Sequence, residues 1–303
     1  MDATAPPHSI QLPKILFFGG KGGVGKTTLA AATAAGLASS GQRTLLISTD
    51  PAHSIGDLLD LPLDDAPREI SPQLHVRELD PEIARDDYIA RVKDNIRRFA
   101  APEFLREAER QVDLSGQHPG VMESALFEAL CRQLDASEEW DRIVVDTAPT
   151  GHALHLLSLP ESMQAWTQAL LQRQEQAPDM APEGAARWRQ ARDLLEARRA
   201  LFERSRLQLR DSARTGFVLV VNDDRLSVRE AVRARDILHK VGVSLPAIIV
   251  NRAARPPDEV INTMVAHFPR LPILLVPARD PAPQGLDGLA SVTRDLRKSG
   301  LLN

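Results

Sequence analysis

The 303 residues are 43% hydrophobic and 26% charged, enough apolar material for a sizeable core in one large α/β domain or two smaller ones. A net charge of −4 and a pI near 6.1 provide no overall attraction to nucleic acid or anionic lipid. The single cysteine, Cys131, excludes an intrachain disulfide framework and any multi-cysteine zinc or iron–sulfur site within one chain, and it suits a reducing, cytoplasmic setting.

The opening "MDATAPPHSIQLPK" lacks a basic stretch followed by an apolar one, and no later run approaches the roughly 20 apolar residues of a membrane helix. The expectation is a protein neither secreted nor inserted in a membrane. From "KILFF" onward, short apolar runs alternate with longer helix-like stretches: "TLLIST", "LHVREL", "RIVVD", "FVLVV", "AIIV" and "PILLV". Such runs predict strands buried on both faces of a mostly parallel sheet, hence a doubly wound α/β fold. Two intervals, of about sixty and about fifty-five residues, are too long for simple crossovers and helical in composition. They predict insertions at about 81–135 and 160–214 that form a helical subdomain within a single domain spanning 1–303. "QAPDMAPEG" marks a break between helices in the second.

Between the first strand and the first helix lies "GGKGGVGKTT", which fits two fingerprints. Gly20, Gly22 and Gly25 satisfy the dinucleotide pattern G-x-G-x-x-G, with Asp50 at the end of the next strand where a ribose-binding acid would stand. The same residues extend to Gly20-x-x-x-x-Gly25-Lys26-Thr27, the phosphate-binding P-loop. The second pattern accounts for more residues, because a dinucleotide gains nothing from a lysine and a threonine hydroxyl at the helix start. Gly20, Lys21, Gly22, Gly23, Val24, Gly25, Lys26, Thr27 and Thr28 then form an ATP site in which Lys26 neutralises phosphates and Thr27 ligates Mg²⁺. Only six of the 37 basic residues are lysines, and two of them sit in this loop.

A phosphoryl-transfer site also needs acids at strand ends. "RIVVDTAPTGH" places Asp146 there, able to hold Mg²⁺ through water, and "TLLISTDPAHS" places Asp50 where it can orient or deprotonate an attacking water.

Together these stretches resemble the deviant Walker A ATPases of the ArsA (arsenite-pump) type, a group that includes the eukaryotic targeting factor for tail-anchored membrane proteins. The resemblance rests on "GGKGGVGKTT", "LLISTDPAHS", "PGVMESALF", "VVDTAPTGHALHLLSLP", "FVLVVNDDRLSVREAVRARDIL" and "AIIVNRA", in that order across most of the chain. It implies a homodimer enclosing ATP, with Lys21 reaching the partner's phosphates in trans, as an arginine finger does. It further implies catalytic roles for Asp50, Lys21 and Lys26 and a first switch running from Asp50 through Pro51 and His53 to Ser54. A second switch runs from Asp146 through Thr147, Pro149 and Gly151 to His152. Asn251 matches the adenine-reading asparagine, and the loop from Val276 to Asp280 supplies further base contacts.

The resemblance implies a cargo as well: a hydrophobic protein segment or membrane-protein partner, handled by targeting or chaperoning. One alternative is the catalytic subunit of an arsenite or anion pump, weakened by the lone cysteine and the single P-loop; another is a positioning ATPase like MinD or ParA. Several features have plainer readings. The arginines from Arg187 to Arg214 alternate with acids at helical spacing, which predicts a solvated helix and no nucleic-acid face. His155 is scaffold, and Met163, Trp166, Leu170 and Leu171 form a stripe that belongs in a core unless it lines a client groove.

Overall fold

A computed structural model describes residues 10–50, 54–99, 105–116, 119–147, 182–253 and 259–302. In chain order, β1 (Ile15–Gly20), α1 (Lys26–Ser39), β2 (Thr44–Ser48) and α2 (Ser54–Leu59) come first. Two short strands follow, β3 (Arg68–Ser71) and β4 (Leu74–Glu78), and then α3 (Pro81–Phe99), α4 (Leu105–Gly116) and α5 (Pro119–Asp135). After β5 (Arg142–Asp146) come α6 (Pro182–Arg210), β6 (Thr215–Asn222) and α7 (Arg225–Val241). The chain closes with β7 (Ile248–Ala253), α8 (Glu259–His267), β8 (Ile273–Pro277) and α9 (Gly285–Ser299).

The strands form one eight-stranded sheet in the order β3-β4-β2-β5-β1-β6-β7-β8, parallel except where β3 pairs antiparallel with β4. The seven runs expected from the sequence are all strands. β3 is the addition: four half-exposed residues at the sheet edge, with neither an apolar run nor clean alternation to announce them. The central strands β1 and β2 are buried at every position, as a parallel sheet covered on both faces requires. β4, next to the edge, alternates buried and half-buried residues.

The chain divides into two compact units. The first, residues 1–78, 137–155 and 208–303, contains the whole sheet with α1, α2, α7, α8 and α9. Its core runs from Leu16, Phe18 and Val144 through Leu29 and Ala34 to Leu289, Val292 and Leu296. Small residues let α1 approach α9 closely: a Cβ on Gly36 would lie 2.9 Å from Thr293 Cγ2, and the Thr293 hydroxyl donates to Ala32 O at 2.8 Å. α7 starts at an Asp224 side chain that accepts from Ser227 N (2.9 Å) and stops at left-handed Gly242, both common helix boundaries.

The second unit, residues 79–136 and 156–207, includes α3, α4, α5 and most of α6. Phe127, Cys131, Leu201 and Phe202 form its compact core, with the Phe127 and Phe202 rings stacked at 5.9 Å. Burial pushes the Cys131 thiol up to about 12. Beside this core the buried Glu128 accepts from Arg132 (2.7 Å) and Arg198 (2.9 Å), with Arg91 3.7 Å away. Arg198 also lies over the Tyr88 and Phe202 rings. α6 is therefore solvated on one side only: Arg192–Glu196 and Arg206–Glu203 pair along its surface, while Leu201 and Phe202 turn inward. Charge alternation alone could not show that second face.

Candidate active site

Parallel strands bring the carboxyl ends of β1, β2, β5, β6 and β7 to one edge of the sheet, where open α/β folds bind ligands. β1 ends at Gly20, which has room for no side chain: a Cβ there would meet Val220 O at 2.2 Å. The loop then turns through Gly22 and Gly23, where a Cβ would meet nothing within 4 Å, and reaches α1 at Gly25, in the left-handed region at φ 90°. α1 has no side-chain cap and no acid in its first turn, so its N-terminal N–H groups and positive dipole end face an anion site with bare backbone.

Four side chains converge at that helix start. Lys26 is buried and donates to Lys21 O at 3.3 Å. The Thr27 and Ser54 hydroxyl oxygens lie 3.1 Å apart, bringing the first residue of α2 to the first turn of α1. Asp146, at the end of β5, is fully buried, and among the described residues neither carboxylate oxygen has a hydrogen-bond partner. Burial pushes its pKa up to about 7; the neighbouring Thr27 hydroxyl and Lys26 ammonium act against the shift, and the Asp50 and Glu78 carboxylates add to it. A buried carboxylate without a donor costs free energy, so its retention points to a ligand that satisfies it. Among the described residues no group of three or more His, Cys, Asp or Glu side chains could hold a metal by itself. Mg²⁺ is ordinarily held by one or two protein oxygens together with substrate phosphates and waters. The donors present, two hydroxyls and a buried carboxylate beside an anion cradle, fit such a pair.

The backbone around these acids is laced together. Thr49 N donates to Asp146 O at 2.9 Å, and the Thr147 hydroxyl donates to Phe18 O at 2.7 Å. Asp50 N donates to Ser48 Oγ at 3.2 Å, so Asp50 leaves β2 alongside Asp146 on β5. Lys21 is largely exposed, with its ammonium 3.8 Å from Glu230 of α7. Asn251 donates through Nδ2 to Val24 O at 2.8 Å. Thr28 is half-buried in the first turn of α1. In the Val276 to Asp280 loop, Arg279 is engaged with Asp295 and Ser291 O of α9. Pro51, His53, Pro149, Gly151 and His152 lie outside the described residues, as do His155, Met163, Trp166, Leu170 and Leu171.

One residue of the site escaped the sequence reading. Glu78, the buried last residue of β4, accepts from the backbone N–H groups of Ile55 and Gly56, each at 3.2 Å, and so anchors the start of α2 directly after Ser54. In register, Asp146, Ser48 and Glu78 lie side by side across β5, β2 and β4. The available signal was a carboxylate ending a buried run, the same signal that singled out Asp146.

A family model described as anion-transporting ATPase (ArsA) matches residues 13–267. The chain belongs to the ArsA ATPase family. A protein of Aquifex aeolicus, provisionally named arsenical pump-driving ATPase 2, is 32% identical over 253 residues, covering 82% of this chain and 84% of the relative. An arsenical pump-driving ATPase of Acidiphilium multivorum is 34% identical over 245 residues, covering 79% of this chain and 39% of its own length. ATPase ASNA1 homolog 1 of Paramecium tetraurelia is 28% identical over 304 residues, covering 92% of this chain and 91% of the relative. This ArsA-family chain is thus similar to ATPases named for an arsenical pump and to an ASNA1 homologue.

Proposed function

We propose that the protein hydrolyses ATP with Mg²⁺ at the carboxyl edge of its sheet and uses the cycle to bind and release a cargo. The observation that carries this reading is Asp146: a carboxylate with no exposed surface and no hydrogen bond, beside Lys26 and Thr27 at the bare start of α1. The loop from Gly20 to Thr28 surrounds phosphates with backbone N–H groups, and Lys26 neutralises them. Thr27, and Asp146 through water, hold Mg²⁺, with Ser54 at hand for the same ion. Held there, Mg²⁺ would supply stabilisation of the charge that develops on the phosphates. Asp50, at the end of β2, orients and deprotonates the attacking water, and Asn251 serves the base. Asp50 to Ser54 and Asp146 to His152 act as the two switches.

Lys21 acts on the nucleotide of a second copy of the chain. In support, its side chain is largely exposed and pairs with the half-exposed Glu230, while Lys26 is buried in its own loop. We read residues 1–303 as a single ATPase domain in which the second unit is an inserted helical subdomain that receives the cargo. The cargo we favour is a hydrophobic protein segment, an assignment supported by the likeness to an ASNA1 homologue along nearly the whole chain. A buried lone thiol suits a cytoplasmic protein, and no described helix is long and apolar enough to cross a membrane. No zinc enters this reading, nor does nucleic acid.

A second reading, the driving subunit of an anion pump, is favoured by the family description and by the pump-named relatives. Cargo capture separates the two. The Asp50→Asn protein, loaded with Mg²⁺ and ATP, should retain a synthetic apolar helical peptide and should not respond to arsenite. ATP hydrolysis by the wild type that rises with arsenite, together with failure to hold the peptide, would transfer the conclusion to the pump.

A further inference from the structure

We propose that Asn251 is a positioning residue for the phosphate loop, clamping Val24 so that the loop keeps its shape whether or not a base is bound. The inference rests on the ATP reading of the site and adds to it a role that acts through the loop. Asn251 Nδ2 lies 2.8 Å from Val24 O, a bond that joins β7 to the glycine loop after β1 across 227 residues of sequence. A carbonyl oxygen only accepts, so the contact fixes which end of the amide faces the loop and leaves Oδ1 as an acceptor.

Two further observations show that the contact is built in. A Cβ on Gly25 would come 2.4 Å from the same Nδ2, so the loop glycine and the amide fit each other and no larger residue could stand at 25. β7 itself departs from regular geometry to deliver the amide: its register against β8 shifts between Asn251 and Ala253, and Arg252 sits at φ 55°. Few residues other than glycine adopt that backbone region, and an arginine held there marks a conformation that its surroundings enforce. The Val24 side chain is buried in the sheet-side core, so a clamp on its carbonyl pins the middle of the loop from both sides.

A residue that reads only the base and a residue that holds the loop differ in one measurable respect: the second matters to a ligand without a base. Calorimetric titrations of the full chain with Mg·ATP and with Mg·tripolyphosphate should show Asn251→Ala weakening both by about tenfold, the size expected when one part-buried hydrogen bond from a side chain to the backbone is lost. Arg252→Val, whose β-branched side chain cannot take the left-handed conformation, should produce the same loss on both ligands. Arg252→Gly should behave as wild type. In ligand-free Asn251→Ala, amide hydrogen exchange from Gly22 to Thr27 should quicken at least severalfold.

Loss of ATP affinity alone in Asn251→Ala, with tripolyphosphate unaffected, would make Asn251 a base reader and overturn the proposal. Unchanged amide exchange in the loop would overturn it equally, even if the wild type binds ATP and not tripolyphosphate. A wild type that binds neither ligand would defeat the ATP reading itself.

Discussion

Two buried carboxylates divide the molecule's chemistry between its two units. In the helical unit Glu128 is closed in by Arg132, Arg198 and Arg91, so its charge is answered from within the fold. In the sheet unit Asp146 is as deeply buried, and neither of its oxygens has a hydrogen bond. A satisfied buried ion pair selects one arrangement of helices, whereas an unsatisfied acid costs the fold free energy until a ligand arrives. Burial by itself therefore does not separate structure from function; the count of donors around the buried charge does.

The contrast is sharpest where catalysis is asked of the sheet edge. Asp50→Asn should lower ATP turnover by about 10² to 10⁴, the usual range for removal of a general base, while equilibrium binding of ATP persists because the glycine loop is untouched. Retained turnover would mean that another group prepares the water. On the other side of the comparison, Glu128→Ala strands three arginines around a vacated site, and the urea midpoint should fall by the equivalent of about 3–5 kcal/mol. An unchanged midpoint would reduce Glu128 to a surface-like residue.

Asp146→Asn tests the orphaned acid directly. Steady-state turnover should drop by about 10- to 100-fold, as when outer-sphere metal partners are lost, while thermal unfolding of the ligand-free protein should occur no earlier than in the wild type. A large loss of ligand-free stability would show Asp146 to be structural after all.

Cys131 lies one turn along α5 from Glu128 and reports on the sealing of the helical unit. Its thiol is held up to about 12 by burial, whereas an unfolded cysteine ionises near 8.5. Between those values the unfolded chain releases a proton that the folded one keeps, so stability falls as pH rises above about 8.5, by at most about 1.4 kcal/mol per pH unit. Urea titrations from pH 7 to pH 10 should show that slope in the wild type and its absence in Cys131→Ala. The smallest expected change belongs to the exposed pair: Glu230→Gln should alter stability by less than about 1 kcal/mol, and salt titration should erase the difference.

How legible was this in the sequence? The seven runs were, most plainly those of β1 and β2, because a parallel strand covered on both faces must be continuously apolar. β3 was not: Arg68 to Ser71 pair only with β4 and carry no periodicity of their own. Asp146 and Asp50 could be found because an acid ending an apolar run is conspicuous, and the loop could be found because its spacing is a covalent fact. Glu78 ends a similar run, but its partners, the amides of Ile55 and Gly56, are backbone groups that no side-chain pattern encodes. The contact between Asn251 and Val24 depends on sheet order, which places β7 two strands from β1 and which local sequence does not specify.

That same sheet order carries a consequence for the newborn chain. The glycine loop follows β1 directly, yet the strands that flank β1 are β5 and β6, more than a hundred residues further along the chain at Arg142–Asp146 and Thr215–Asn222. Contacts so distant along the chain pay their closure entropy late in folding. A truncated or stalled product ending before β6 carries the whole loop and still lacks one of its walls. A nucleotide site of full shape is therefore expected only once the chain extends through β6.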